Sequence, residues 1–279
     1  MEPTIVHANG AELCVETFGD QSDPAILLVM GAGASMDWWE DEFCERLAAG
    51  SRYVVRYDHR DTGQSTSYPS GAPGYTGDDL VADPVVLLDV LDLGAAHVVG
   101  LSMGGAIAQR LGLDHPDRVA SLTLMSTSPA GPVDRDLPPM GVLDSPPPPD
   151  WSDRDAVIDF LVDGLRPYAG TLPYDESATR ALVARVVDRT TNVESSQTNH
   201  WILPDDEEES TPRIGEIRAP TLVMHGTADP LFPYGHGEAL SAAIPGATLL
   251  PLKGVGHEFP PPPVWDVVVP ALLTHTAGG

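Results

Sequence analysis

The chain has 279 residues, 42% of them hydrophobic, enough for one large α/β domain with an insertion and too apolar for a disordered chain. Asp and Glu number 41 against 15 Lys and Arg, a formal net charge of -26. A surface that acidic repels nucleic-acid phosphates and anionic lipid headgroups, so neither is expected as a partner, and it suits a neutral small molecule better than a free acid.

Cys14 and Cys44 form no motif and are expected as two buried, unpaired thiols. Met1-Glu2-Pro3-Thr4 lacks a basic, then apolar, leader, and no run approaches the roughly 18 apolar residues needed to cross a bilayer. The expectation is a soluble cytoplasmic chain, monomer or homodimer. No repeat of fixed period points to a solenoid or propeller.

Residues 5–18 predict two strands around Asn9-Gly10, a dipeptide suited to a tight hairpin. The apolar run Ala25 to Met30 ends abruptly in Gly31-Ala32-Gly33, as a strand buried on both faces would. A helix is expected over 37–49, a strand over Tyr53 to Tyr57 and, from an apolar stripe with an acidic start, a helix over 78–93. His97 to Gly100 is the next strand, Met103 to Leu113 a helix, and Ser121 to Ser126 a strand. The alternation implies a mostly parallel central sheet with helices on both faces.

From about Pro129 to Pro212 no buried strand is evident. Pro146 to Pro149 reads as a stiff connector, 153–165 and 176–190 as helices, and Asp205 to Glu209 as an acidic run. The sheet pattern resumes at Thr221 to His225, followed by a helix at 236–243, a strand at 247–252 and a helix at 264–275. The reading is an α/β core of residues 1–128 and 213–279, with a helical cap inserted over 129–212.

Gly100-Leu101-Ser102-Met103-Gly104 fits G-x-S-x-G and lies between a predicted strand and a predicted helix, the context that pattern requires. A serine at so sharp a turn is strained and points its hydroxyl out of the sheet. Small residues at 100 and 104 let the backbones approach, and the helix N-terminus behind Ser102 favours a developing oxyanion.

Serine needs a base within hydrogen-bond reach and an acid to orient that base; the order serine, acid, histidine accompanies this elbow. Of nine histidines, His257 in Gly254-Val255-Gly256-His257 lies just past the last predicted strand, where the base belongs. His225 lies inside an apolar strand and reads as a core residue or one behind the site. Asp229 ends the turn after that strand, whereas the preceding strand closes in Ser126-Thr127-Ser128, without a carboxylate. Two backbone N–H groups are needed to hold an oxyanion, and Met103 and Ala32 are the candidates. Trp38, Trp39, Trp151, Tyr168, Trp201 and Phe232 are candidate walls of an apolar cleft, although aromatics more often fill cores. No metal-ligand cluster and no dinucleotide fingerprint occurs, so no metal and no cofactor is implied.

Together these residues resemble the α/β-hydrolase superfamily across nearly the whole chain. Asp58-His59-Arg60-Asp61-Thr62-Gly63-Gln64-Ser65 is similar to its D-x-R-G-x-G-x-S loop, with Asp61 in place of a glycine, and reads as a structural turn beneath the site. Met30 stands where a histidine is common before the oxyanion loop. Leu28 to Gly31, Arg56 to Gly63 and His97 to Gly104 look like the aclacinomycin methylesterase group, whose members hydrolyse the methyl ester of anthracycline polyketides. The resemblance implies the α/β-hydrolase fold and a serine carboxylesterase working through an acyl-enzyme on a small-molecule ester. The alternatives are lactonase, thioesterase or perhydrolase activity of the same three residues, or a ligand-binding receptor with a slow triad. A haloalkane dehalogenase is disfavoured, because that chemistry needs an aspartate where Ser102 stands.

Overall fold

Asn9 and Gly10 take φ of 46° and 75°, both positive, the turn that joins strands with the natural twist. They link β1 (Thr4–Ala8) to β2 (Ala11–Phe18) in an antiparallel pair with Ala8 opposite Ala11. This computed structural model describes residues 2–131, 133, 136–143, 146–203 and 214–278.

After the hairpin come β3 (Ala25–Val29), α1 (Asp41–Ala48), β4 (Tyr53–Tyr57), α2 (Gly77–Val90), β5 (Ala96–Leu101), α3 (Met103–Asp114) and β6 (Val119–Met125). Then follow α4 (Arg154–Leu165), α5 (Glu176–Arg189), α6 (Val193–Ser196), β7 (Thr221–Gly226), α7 (Gly235–Ala243), β8 (Thr248–Leu252) and α8 (Trp265–His275). The eight strands lie in the order β1-β2-β4-β3-β5-β6-β7-β8. The β1–β2 and β2–β4 pairs are antiparallel and the rest parallel.

Alternate residues of the buried strands feed two cores. Leu27, Val29, Val55, Tyr57 and Val98 pack against Leu80 and Leu87 of α2 and Ile107 and Leu111 of α3. Ile26, Leu28, Val54, Val99 and Met224 face the other way, onto Phe43 and Leu47 of α1 and Val268 and Leu272 of α8. This two-sided burial is why these strands read as unbroken apolar runs.

Between β6 and β7 the described residues hold helices and no strand. Their own apolar cluster is small: Ile158, Val162 and Val183, with Trp38 packed against it from the core side. The acidic run Asp205 to Glu209 and the expected boundary at 212 lie outside the described residues. No described helix is long and apolar enough to cross a membrane.

The helix expected over 37–49 is broken. A 3-10 turn at Met36–Trp38 precedes α1, and Glu40 between them is extended, with φ −52° and ψ 147°. The Arg56 guanidinium and the Cys44 thiol both bond the Trp39 carbonyl, which diverts it from an intrahelical bond. The short helix at Val193–Ser196 and the 3-10 turn at Asn199–Trp201 were not expected from the sequence. Cys14 and Cys44 are free and buried. Burial, with Asp58 adding to it, pushes the Cys14 thiol up to about 11. Burial pushes Cys44 up to about 12.

Candidate active site

Strand order reverses at β3, which hydrogen-bonds β4 on one side and β5 on the other. The connections leaving β3 and β5 therefore part at the carboxyl edge of the sheet, the place where open α/β sheets generally bind their ligands. Gly31-Ala32-Gly33 leaves β3, and Ser102 leaves β5.

Ser102 has φ 53° and ψ −116°, a conformation costing an L-residue on the order of 1–3 kcal/mol. Its N–H donates to Met125 O at 2.9 Å and its carbonyl accepts from the Thr127 hydroxyl at 2.9 Å, so the neighbouring strand braces the turn on both sides. A Cβ on Gly100 would lie 2.1 Å from Gly104 O, and one on Gly104 would lie 2.2 Å from Val29 O. Both positions need glycine because backbone occupies the space. A Cβ on Gly31 would sit 3.4 Å from Ser102 Cβ, which puts the β3 loop against the serine.

His257 follows β8 and Asp229 follows β7. The Ser102 hydroxyl is 3.0 Å from His257 Nε2, and His257 Nδ1 is 2.9 Å from Asp229 Oδ2. A carboxylate opposite Nδ1 requires the proton there, leaving Nε2 to accept from the serine. Asp229 is buried, and its Oδ1 accepts from Leu231 N at 2.9 Å and Phe232 N at 2.8 Å, so the anion stays bonded without water.

Residues from the insertion hold the histidine loop. Tyr168 O accepts from His257 N at 2.8 Å, and Gly254 O from Thr171 N at 2.7 Å. A Cβ on Gly256 would lie 2.1 Å from Tyr168 O. The glycines before His257 thus make room for the 168–171 backbone, beyond allowing the loop to bend.

Among the candidate walls, the Tyr168 and Phe232 rings lie 6.0 and 5.2 Å from the imidazole. The other four make no ring contact with the imidazole. Trp39 is fully buried among Phe43 and Phe259, so it is core. Trp38 is half-buried at the seam between core and insertion. Trp151 packs edge-on against Phe160 and borders a cleft of about 420 Å³ between α4 and α5. Trp201 is 64% exposed, its ring turned out of the fold.

His225 lies behind the site. Its Nε2–H donates to Phe232 O at 2.8 Å and stands 3.6 Å from Asp229 Oδ2, and burial holds its pKa below the ordinary histidine value. The 58–65 loop is buried beneath: Asp58 takes Met36 N at 2.8 Å and Gln64 N at 3.0 Å, and a Cβ on Gly63 would strike its carboxylate. Asp61, where the resemblance has glycine, keeps the left-handed backbone at φ 65° and uses its carboxylate to accept from Tyr68 N, Tyr75 OH and Asn199 Nδ2. Thr127, Gln197 and His200, all in contact with the serine or the β3 loop, were not singled out from the sequence, because hydrogen bonds to distant backbone leave no local pattern. Among the described residues no group of three or more His, Cys, Asp and Glu side chains is placed to hold a metal ion.

A sheet of this order with serine, acid and histidine on the loops after β5, β7 and β8 defines a class, the alpha/beta hydrolase fold. The family model of that description matches residues 24–260, and the chain belongs to the family. It is 30% identical to rhodomycin D methylesterase DauP of Streptomyces sp. (strain C5), over 99% of this chain and 98% of that protein. It is 31% identical, with the same coverage, to rhodomycin D methylesterase DnrP of Streptomyces peucetius. Among solved structures, the enol-lactonase from Burkholderia xenovorans LB400 superposes with a TM-score of 0.74 at 25% identity, over 98% of this chain and 99% of that one.

Proposed function

We propose that the protein is a serine carboxylesterase, with Ser102 as nucleophile, His257 as general base and acid, and Asp229 as the group that orients the imidazole. The observation that carries this is the continuous bonding from Ser102 Oγ through His257 to Asp229, at 3.0 and 2.9 Å. As Ser102 Oγ attacks the ester carbonyl carbon, its proton passes to His257 Nε2, and the carbonyl oxygen becomes an oxyanion held by Ala32 and Met103 N–H. Collapse breaks the bond to the alcohol oxygen, which takes the proton from His257. Water then attacks the acyl-enzyme by the same route, giving the acid and restoring Ser102. None of these steps requires a cofactor.

The substrate proposed is the methyl ester of a bulky, largely apolar molecule such as a polycyclic polyketide. The two methylesterase relatives aligned along nearly their whole length support it, as do Tyr168 and Phe232 beside the imidazole. The net charge of -26 adds support, since it favours an uncharged ester over its free acid. A lactone, an internal ester open to the same attack, is the second reading, favoured by the likeness to the enol-lactonase. Measuring kcat/KM on a panel of methyl esters and lactones separates the two. Polycyclic aromatic methyl esters should exceed p-nitrophenyl acetate and release methanol; turnover confined to lactones would establish the second reading instead.

A further inference from the structure

The Gly33 backbone is gripped from both ends by the insertion. Its N–H donates to His200 Nδ1 at 2.9 Å, and its carbonyl accepts from Gln197 Nε2 at 3.0 Å. Gly33 sits at φ 71° in a turn closed by Ala34 N–H onto Gly31 O at 3.4 Å. A Cβ there would lie 3.0 Å from Ser196 O and 3.2 Å from Gln197 Nε2, so these two residues fill the space against it. Ala32 is the other central residue of this turn.

His200 is itself held. Its Nε2–H donates to Arg60 O at 2.9 Å, and the next residue back, Asn199, donates to Asp61 Oδ2 at 2.9 Å. With Gly33 N–H pointing at Nδ1, that nitrogen must be unprotonated, so the ring is the neutral Nε2–H tautomer. Burial agrees, pushing the His200 pKa down to about 4. Underneath, His59 Nε2–H donates to Met30 O at 3.0 Å and steadies the start of the same loop.

We infer that His200 and Gln197 are positioning residues for the oxyanion-binding loop, fixing the peptide after Ala32 so that the Ala32 N–H stays aimed at the developing oxyanion. His200 also consumes the Gly33 N–H, which leaves Ala32 as the loop's donor. The inference rests on the esterase reading above. It gives the insertion a part in transition-state stabilisation, beyond forming a wall for substrate. An interaction of this kind is felt in kcat, since the ground-state ester needs the loop far less than the oxyanion does.

The test is steady-state hydrolysis of p-nitrophenyl butyrate by wild type, Ser102→Ala, His200→Phe, His200→Gln and Gln197→Ala. Inhibition by a trifluoromethyl ketone, whose adduct carries an oxyanion, is measured alongside. His200→Phe should lower kcat by about ten- to a hundredfold, less than deleting an oxyanion donor outright, with KM within about twofold. Affinity for the ketone should fall in parallel. His200→Gln, which offers an acceptor to Gly33 N–H and a donor to Arg60 O, should recover most of the loss. Gln197→Ala should show the same kcat signature at about three- to tenfold, because it releases only one carbonyl. If His200→Phe fails to fold, Gln197→Ala decides by the same readout. A folded His200→Phe with wild-type kcat and ketone affinity would overturn the inference, as would a loss carried by KM alone. Those results beside an active wild type and an inactive Ser102→Ala would refute only the positioning role; a wild type that hydrolyses no ester would remove the esterase reading with it.

Discussion

At the carboxyl edge of the sheet the chain is held by backbone contacts and glycines. Gly100 and Gly104 have carbonyl oxygens where a Cβ would go, and Ser102 is strained between two hydrogen bonds to the next strand. The insertion, by contrast, is held by charge and polar side chains. Arg189 at the end of α5 makes a two-pronged bond to Asp58, 2.7 Å on each side, and reaches Asp37 at 2.7 Å, while Arg185 donates to Asp37 O at 3.2 Å. Among the described residues its own apolar cluster has three buried members, Ile158, Val162 and Val183. The sheet edge tolerates almost no change of residue volume, and the insertion depends on a few pairs that must stay matched.

Three perturbations sharpen that contrast. The largest effect is expected at the sheet edge. Asp229→Asn keeps the shape but favours the wrong imidazole tautomer, and kcat should fall about ten-thousandfold while the unfolding midpoint moves little. A loss under tenfold would contradict the orienting role of Asp229.

Next comes the seam. Arg189→Met removes the cation between Asp58 and Asp37, leaving two buried carboxylates without it, and should cost about 3–5 kcal/mol in urea unfolding. A loss below about 1 kcal/mol would mean that the insertion is anchored by its apolar contacts instead.

A third effect is one of pH. Burial pushes the pKa of His59 and His200 at the seam, and of His97 at the opposite end of β5, down to about 4. The folded protein resists protonating them, whereas the unfolded chain binds those protons near the ordinary value of about 6.5. Their contribution is fully present above about 6.5 and is lost as pH falls through the folded value, so stability should decline from about pH 6.5 toward 4. Equal urea midpoints at pH 7 and pH 5 would contradict this.

The sheet edge was legible in the sequence because its requirements are local. A buried parallel strand must be apolar on both faces, as Ala25–Val29 is, and a strained elbow must put glycine beside serine within five residues. His257 and Asp229 are singled out by lying at strand ends, also a local signal, and by their order in the chain after Ser102. The grip on Gly33 comes from residues more than 160 positions away, and no periodicity announces it. The aromatic candidates split for a related reason: Tyr168 and Phe232 stand beside the imidazole, whereas Trp39 is core and Trp201 is exposed. Trp39 and Trp201 are the same residue type, and whether each lies in the core or in solvent depends on neighbours that only the fold supplies. Asp61 was visible as a departure from the glycine of the resembling loop, but its use as a docking point for Asn199 and Tyr75 required the structure.

The most direct test of the central claim, that Ser102 activated by His257 and Asp229 is the nucleophile, is labelling by a fluorophosphonate with hydrolysis of p-nitrophenyl butyrate measured in parallel. A single adduct on Ser102 and turnover by the wild type are expected, with both lost in a folded Ser102→Ala variant whose residual rate lies several orders of magnitude below wild type. Absence of labelling at Ser102, or a folded Ser102→Ala enzyme that keeps its activity, would contradict that claim.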